Sequence, residues 1–138
     1  MKLTLCGSLQ FESYWHEANK QLGLAGHICY SVMTFPSIEG SKSWYNEQQK
    51  WILDLAHFAK IEESDGVVML NINSYLGESS LRELTWARMR NKTVYWAFED
   101  MRRDNRCDAW ATSLIPGRDN MFYPWFELEE AVKAKSKL

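Results

Sequence analysis

The sequence predicts an α/β fold, a parallel sheet of about five strands with helices on both faces. Strand-like and helix-like segments alternate from residue 2 to residue 98. Such alternation is typical of parallel strands joined by right-handed crossovers. In addition, residues 67–72 (VVMLNI) form a continuous apolar run, as expected of a central parallel strand buried on both faces.

The spacing of apolar residues predicts the type of each element, and turn residues predict where it ends. The predicted strands are 2–6, 27–32, 67–72 and 93–98, with a weaker one at 121–123. The predicted helices are 11–22, 44–62, 79–90 and 125–135. Residues 33–43 are predicted to be a loop, long enough to cover a site, and residues 99–109 a polar loop or short helix.

Bulk composition indicates one domain spanning residues 1–138, large enough to bury a core without disulfides or metals. The net charge of −2 argues against binding to a nucleic acid polymer or an anionic membrane. The amino terminus is too polar for a secretory signal, and no apolar run is long enough to span a membrane. We therefore expect a cytoplasmic protein.

The three cysteines lack C-x-x-C spacing, so we expect buried free thiols in a reducing compartment, with no metal site and no cofactor. Aromatic residues make up 14% of the chain and include seven Trp. Most should lie in the core. The surplus suggests an aromatic-lined pocket or a subunit interface.

In a doubly wound sheet, ligands bind at the carboxyl ends of strands where the strand order reverses. This rule selects Gly7 to Phe11, Ser31 to Trp44, and Asn71 to Glu83. Gly7 lets the backbone approach a ligand, and Ser8 adds a hydroxyl beside a helix start suited to phosphate. The alternative for this dipeptide is an ordinary strand-to-helix turn.

The segment from Gly77 to Glu83 opens the third helix, so its serines and first amides are candidates to hold a sugar or a phosphate. A Glu on the first turn can attack an anomeric carbon and form a covalent glycosyl intermediate. By spacing alone, a capping box between Ser80 and Glu83 is the more frequent arrangement. His57, on the second helix, becomes an acid or base candidate if it borders the crevice. Asp65, at the amino end of its strand, is expected to be structural.

Three stretches, LTLCGSLQF, DLAHFAKIEESDGVVMLN and YLGESSLRELTWAR, resemble the nucleoside 2-deoxyribosyltransferase-like superfamily. This superfamily includes the nucleoside 2-deoxyribosyltransferases and the nucleoside 5'-monophosphate N-hydrolases. The resemblance covers residues 2–98 and implies a flavodoxin-like (Rossmann-like) fold. It also implies a nucleoside or nucleotide substrate and a homo-oligomer, a dimer or larger, for which the Trp-rich second helix is a plausible interface.

The resemblance assigns the nucleophile to Glu83 and a phosphate-binding turn to the segment that contains Gly7 and Ser8. Phe11 corresponds to an aromatic that packs on the base, with Trp44 or Tyr75 as its expected partner. We add as expected substrate-binding residues Gly77, Glu78, Ser79 and Ser80, and His57 or Glu78 as the group that handles the proton.

Three positions depart from the superfamily pattern. Leu5 stands where a Tyr near the catalytic Glu is common, and Gly77 replaces an Asp that contacts the sugar in the transferases. His57 stands where the transferases carry an Asp, eight residues before Asp65.

Three functions remain open. The first is an enzyme that cleaves or exchanges the N-glycosidic bond of a (deoxy)nucleoside or its 5'-monophosphate. The second is a non-catalytic nucleotide-binding or regulatory module on the same fold, because fold does not fix function. The third is a related phosphoribohydrolase acting on a modified nucleotide.

Overall fold

A computed structural model describes residues 1–32, 45–117 and 122, and confirms the predicted parallel α/β sheet. Five strands lie in the order β2-β1-β3-β4-β5, and each neighbouring pair is parallel. This is the flavodoxin-like order, whose switch point lies between β1 and β3. The strands are β1 (Lys2–Gly7), β2 (Ile28–Tyr30), β3 (Gly66–Leu70), β4 (Thr93–Trp96) and β5 (Ala109–Trp110).

Three α-helices connect the first four strands: α1 (Glu12–Leu24), α2 (Glu47–Glu63) and α3 (Glu78–Met89). Asn46 caps α2 with a capping box, since its side chain accepts from the Gln49 backbone and the Gln49 side chain accepts from the Asn46 backbone. No helix in the described ranges is long and apolar enough to cross a membrane.

The core has two layers, because alternate residues of each strand point to opposite faces of the sheet. Leu3, Leu5 and Val68 pack with α1 on one face. Cys6, Val67 and Met69 pack on the other face, where α2 and α3 lie. Every residue of β3 is buried, as its apolar run predicts.

Two aspartates anchor the ends of the sheet. Asp65 accepts a hydrogen bond of 2.7 Å from the Lys2 backbone, which fits the structural role expected of it. The Asp108 side chain accepts from Arg88, from the Trp96 indole and from the Asp104 backbone, at 2.6, 2.8 and 2.7 Å. It therefore ties α3 and β4 to the segment that precedes β5.

Several predicted boundaries need correction. The fifth strand is Ala109–Trp110, at the end of the segment predicted as a loop, because two residues are too short to show a strand pattern. The strand predicted at 121–123 falls outside the described residues except for Phe122, and the loop at 33–43 and the helix at 125–135 fall wholly outside them.

The opening of the third helix is also corrected. α3 begins at Glu78 with Gly77 as its N-cap, not at Ser79 or Ser80, and Gly77 offers no side-chain cap. The predicted capping box between Ser80 and Glu83 is wrong, because Ser80 is already inside the helix. Glu83 therefore has a different environment from the one that spacing favoured.

Candidate active site

Glu83, His57 and Cys6 come together near the carboxyl end of β1, beside the topological switch point. His57 Nε2 lies 3.8 Å from Glu83 Oε2 and 3.7 Å from Cys6 Sγ. Cys6 is fully buried, and the side chains of His57 and Glu83 are 7% and 13% exposed. We call these three residues the Cys6–His57–Glu83 cluster. The structure thus turns Glu83 inward, toward the strand tips.

Packing between α2 and α3 sets the position of this cluster. The Phe58 and Trp86 rings lie 4.9 Å apart, tilted by 30°, and the Arg90 guanidinium lies 4.3 Å above the Trp86 ring. Phe58 follows His57 in α2, and Trp86 lies one turn after Glu83 in α3. The aromatic contact therefore fixes the two helices at the distance that brings His57 to Glu83.

Burial sets the protonation of the cluster. Desolvation raises the pKa of Glu83 to about 8, a rise that the nearby Asp54 charge reinforces and that Cys6 and Arg82 oppose. Desolvation, with the Lys60 charge, lowers the pKa of His57 to about 4. Desolvation also raises the pKa of the Cys6 thiol. At neutral pH the His57–Glu83 pair therefore holds one titratable proton, and that proton is on Glu83.

The His57–Glu83 contact is a neutral pair and not a hydrogen bond, because 3.8 Å exceeds hydrogen-bond range. Among the described residues, neither Glu83 Oε2 nor His57 Nδ1 has a hydrogen-bond partner. Buried polar atoms are usually paired. A buried carboxyl oxygen and a buried imidazole nitrogen that both lack partners, in one cluster, are typical of a site for a ligand or a proton transfer.

The predicted phosphate turn forms a tight structural turn after β1. A Cβ at Gly7 would lie 2.9 Å from the Leu70 carbonyl oxygen, so glycine is required for β1 to pack against β3. Ser8 caps a short 3₁₀ helix, Leu9–Phe11, and its carbonyl accepts a 3.0 Å bond from Trp15. Phosphate binding by Gly7 and Ser8 remains a prediction.

Two aromatic side chains that the sequence paired do lie together. The Phe11 and Tyr75 rings are 6.2 Å apart, edge to face, at the carboxyl ends of β1 and β3. Tyr75 is 48% exposed, so its ring is accessible to a ligand. Trp44, the other expected partner, lies outside the described residues.

The remaining predicted residues occupy the first turn of α3. Gly77 is half-buried, Ser79 is half-buried and Ser80 is buried. Glu78 is exposed and lines a groove of about 540 Å³ between α2 and α3, together with Asp54 and Arg82. Of the two residues predicted to handle the proton, His57 lies 3.8 Å from Glu83, and Glu78 lies on the exposed groove.

Cys6 is the site residue that the sequence interpretation missed. The sequence predicts only a buried free thiol at this position, which the structure confirms. The resemblance matches Leu5 to the Tyr near the catalytic Glu, but Leu5 packs in the α1 layer, and Cys6 packs in the layer of α2 and α3. Strand alternation carried the signal, since neighbouring residues of β1 face opposite ways.

The cysteine prediction holds in part. All three cysteines are free, with Cys6 buried, Cys29 half-buried and Cys107 exposed.

Comparison with known proteins supports the fold. The chain shares its fold with a 2-deoxyribosyltransferase. That enzyme, from Bacillus psychrosaccharolyticus, superposes with a TM-score of 0.55 at 13% identity, over 77% of this chain and 78% of the enzyme. A conserved protein from Enterococcus faecalis V583 superposes with a TM-score of 0.55 at 17% identity, over 89% and 79% of the two chains.

A CMP N-glycosidase from Clostridium botulinum gives a TM-score of 0.45 at 14% identity, over 70% and 67% of the two chains. Searches of family models and of curated protein sequences found no match. The folds shared with the 2-deoxyribosyltransferase and the Enterococcus faecalis protein confirm the fold that the three sequence stretches predict.

Proposed function

We propose that the protein cleaves or transfers the N-glycosidic bond of a (deoxy)nucleoside or its 5'-monophosphate, with Glu83 as the nucleophile. The observation that carries the proposal is the inward position of Glu83, 3.8 Å from His57 at the carboxyl edge of β1. The sequence resemblance and the fold shared with a 2-deoxyribosyltransferase support the same chemistry.

The single proton of the pair suggests how the reaction begins. Moving it from Glu83 to His57 creates a carboxylate and an imidazolium together. The carboxylate attacks the anomeric carbon as the bond from that carbon to the base nitrogen breaks, and the imidazolium protonates the departing base. The products of this half-reaction are the free base, neutral His57 and a glycosyl ester on Glu83.

The second half-reaction releases the sugar. In a hydrolase, water attacks the anomeric carbon, Glu83 leaves as a carboxylate, and the proton from water returns to the pair. In a transferase, a second base attacks in place of water, and the ring nitrogen proton that it loses returns to the pair. Phe11 and Tyr75, whose rings are in contact, are the proposed contacts for the base. The first turn of α3, with Ser79 and Ser80, is the proposed contact for the sugar.

The test is base release, measured by chromatography in chelator-treated buffer, from a panel of nucleosides and their 5'-monophosphates. We expect release from at least one substrate and its near-complete loss in Glu83→Ala. Glu63→Gln is a matched control, because Glu63 is an exposed acid at the far end of α2. Equal release by Glu83→Ala would reject the mechanism. If no member of the panel releases base, a non-catalytic binding module is favoured.

Substrate comparisons refine the assignment. Base that accumulates without an acceptor indicates hydrolysis, and base that appears only with a second base indicates transfer. Preference for ribonucleoside monophosphates carrying a modified base would favour the phosphoribohydrolase.

The pH profile tests the shared proton. Wild-type kcat/KM should be highest between about pH 4 and pH 8, where the pair holds one proton, and should fall on either side. In His57→Gln, residual activity should instead rise with pH as Glu83 ionises. Identical profiles for the two proteins would exclude His57 as the proton carrier.

A further inference from the structure

The Cys6–His57–Glu83 cluster contains one thiol, one imidazole and one carboxylate, and its ligand atoms all lie within 4.8 Å of one another. The three residues lie on β1, α2 and α3, far apart in the sequence, so the cluster does not form a sequence motif. Cysteine sulfur, histidine nitrogen and carboxylate oxygen are the donors that zinc uses in proteins.

The size of the triangle suits a tetrahedral ion. Bonds of about 2.0 to 2.3 Å place the ligand atoms of a zinc site about 3.3 to 3.6 Å apart. The observed separations from His57 Nε2 are 3.7 Å to Cys6 Sγ and 3.8 Å to Glu83 Oε2. A contraction of a few tenths of an ångström brings these two separations into that range. The Cys6 Sγ to Glu83 oxygen separation, which is within 4.8 Å, closes by rotation about the two side chains.

Two further observations point to a ligand. Glu83 Oε2 is buried and has no hydrogen-bond partner among the described residues. His57 Nε2 faces both other donors, so a single ion can contact all three. Three protein ligands leave a fourth position open.

We propose that Cys6, His57 and Glu83 bind one borderline-soft divalent cation, for which Zn²⁺ is the best match. Thiolate and imidazole ligands select against Mg²⁺ and Ca²⁺, which prefer oxygen. Binding displaces the protons of the Cys6 thiol and the Glu83 carboxyl into solvent, and no oxidation or reduction is involved.

Coordination has a consequence for catalysis, which rests on the proposed function. A Glu83 oxygen bound to the cation cannot attack a sugar carbon, so the metal-bound form is inactive in base release. Zn²⁺ is then a reversible inhibitor that acts on the nucleophile itself.

Metal binding is tested directly with Co²⁺, a spectroscopic substitute for Zn²⁺. The starting protein is Cys29→Ser combined with Cys107→Ser, which retains Cys6 as its one cysteine. We expect one Co²⁺ per chain, with a thiolate-to-cobalt charge-transfer band and the visible bands of tetrahedral cobalt. Both features should disappear in the further variant Cys6→Ala. A band absent from the starting protein, or surviving Cys6→Ala, would overturn the proposal.

Competition between Zn²⁺ and Co²⁺ measures how much His57 and Glu83 contribute to the affinity for Zn²⁺. Loss of an outer partner of a metal ligand costs about 10- to 100-fold in affinity, so loss of a direct ligand should cost about 100-fold or more. Glu83→Gln and His57→Gln should show this loss, and Glu63→Gln should not. Circular dichroism confirms that each variant is folded, and unchanged affinity in folded Glu83→Gln and His57→Gln would reject the site.

The metal proposal and the proposed function can fail separately. Cobalt bands without base release from any substrate would leave the metal site standing and remove the enzyme. The opposite result is a protein without cobalt bands that still releases base, at a rate that neither Zn²⁺ nor a chelator changes. That result would support the enzyme and reject the metal site. With both correct, Zn²⁺ inhibits, a chelator restores activity, and Mg²⁺ has no effect.

Discussion

Glu83 and Asp100 are both carboxylates with little exposed side chain, 13% and 3%, yet their surroundings have opposite effects. Asp100 is bonded to the Arg102 guanidinium and backbone and accepts from Asn71, and its pKa is lowered chiefly by Arg102. For Glu83, desolvation has the largest effect on the pKa and raises it to about 8. Asp100 is held by partners that stabilise its charge, whereas Glu83 is placed where its charge is disfavoured.

Asp108 extends the comparison. Its side chain is 3% exposed and accepts bonds from Arg88, Trp96 and Asp104. Carboxylates that serve the fold are thus surrounded by donors, and the candidate nucleophile is not. A buried carboxyl with so little support lowers stability, and such arrangements cluster at functional sites.

Replacing Glu83 by Gln should have the largest effect on activity. The amide keeps the shape of the side chain but cannot act as a nucleophile, so base release should fall more than about 1000-fold. The measurement is the initial rate of base release on the best substrate of the panel. A fall of less than tenfold, relative to Glu63→Gln, would place the nucleophile elsewhere.

Asp108→Ala should have the largest effect on stability. The substitution leaves the buried Trp96 indole and the Asp104 backbone amide without an acceptor, which should cost about 2 to 4 kcal/mol. Urea denaturation at pH 6 measures the change. A loss below about 0.5 kcal/mol, the range of ordinary surface substitutions, would show that these bonds do not stabilise the fold.

The pH dependence of stability should reveal Glu83 directly. The pKa of Glu83 rises from 4.5 to about 8 on folding. The contribution of Glu83 to the free energy of unfolding is therefore fully present below pH 4.5 and is lost as the pH rises through 8. Because the pKa of His57 falls from 6.5 to about 4, its contribution is present above pH 6.5 and is lost as pH falls through 4.

The two contributions cancel between pH 4.5 and 6.5, since the folded and unfolded pair each hold one proton there. Between pH 6.5 and 8 stability should fall by up to about 1.4 kcal/mol per pH unit. Urea titrations in chelator-treated buffer measure this slope. Glu83→Gln should abolish the fall, and an equal fall in that variant would assign it to another group.

Asn46→Ala should have the smallest effect. It removes the capping box of α2 and should cost about 1 kcal/mol. His57 lies three turns further along α2, so base release by the folded variant should not change. A stability loss with full activity, measured on one preparation, would separate helix support from site chemistry. A parallel fall in activity would show that the start of α2 also shapes the site.

The sequence predicts the sheet well, because hydrophobic period and the apolar run of β3 depend on local residues. The resemblance singles out Glu83 against the capping box that its spacing from Ser80 favours, and the structure turns that side chain toward His57. Its role as nucleophile stays a prediction. Cys6 and the pairing of His57 with Glu83 are not predictable in this way. They depend on how α2 and α3 pack through Phe58 and Trp86, a contact between residues distant in sequence.

A covalent sugar on Glu83 is the most direct measurement of the central claim. The protein is mixed with the best substrate of the panel, quenched in acid within the first turnover, and digested for mass spectrometry. We expect the peptide that contains Glu83 to gain the mass of the glycosyl group, and the corresponding peptide of Glu83→Gln to gain nothing. A glycosyl group on another residue, or rapid base release by Glu83→Gln, would contradict the account.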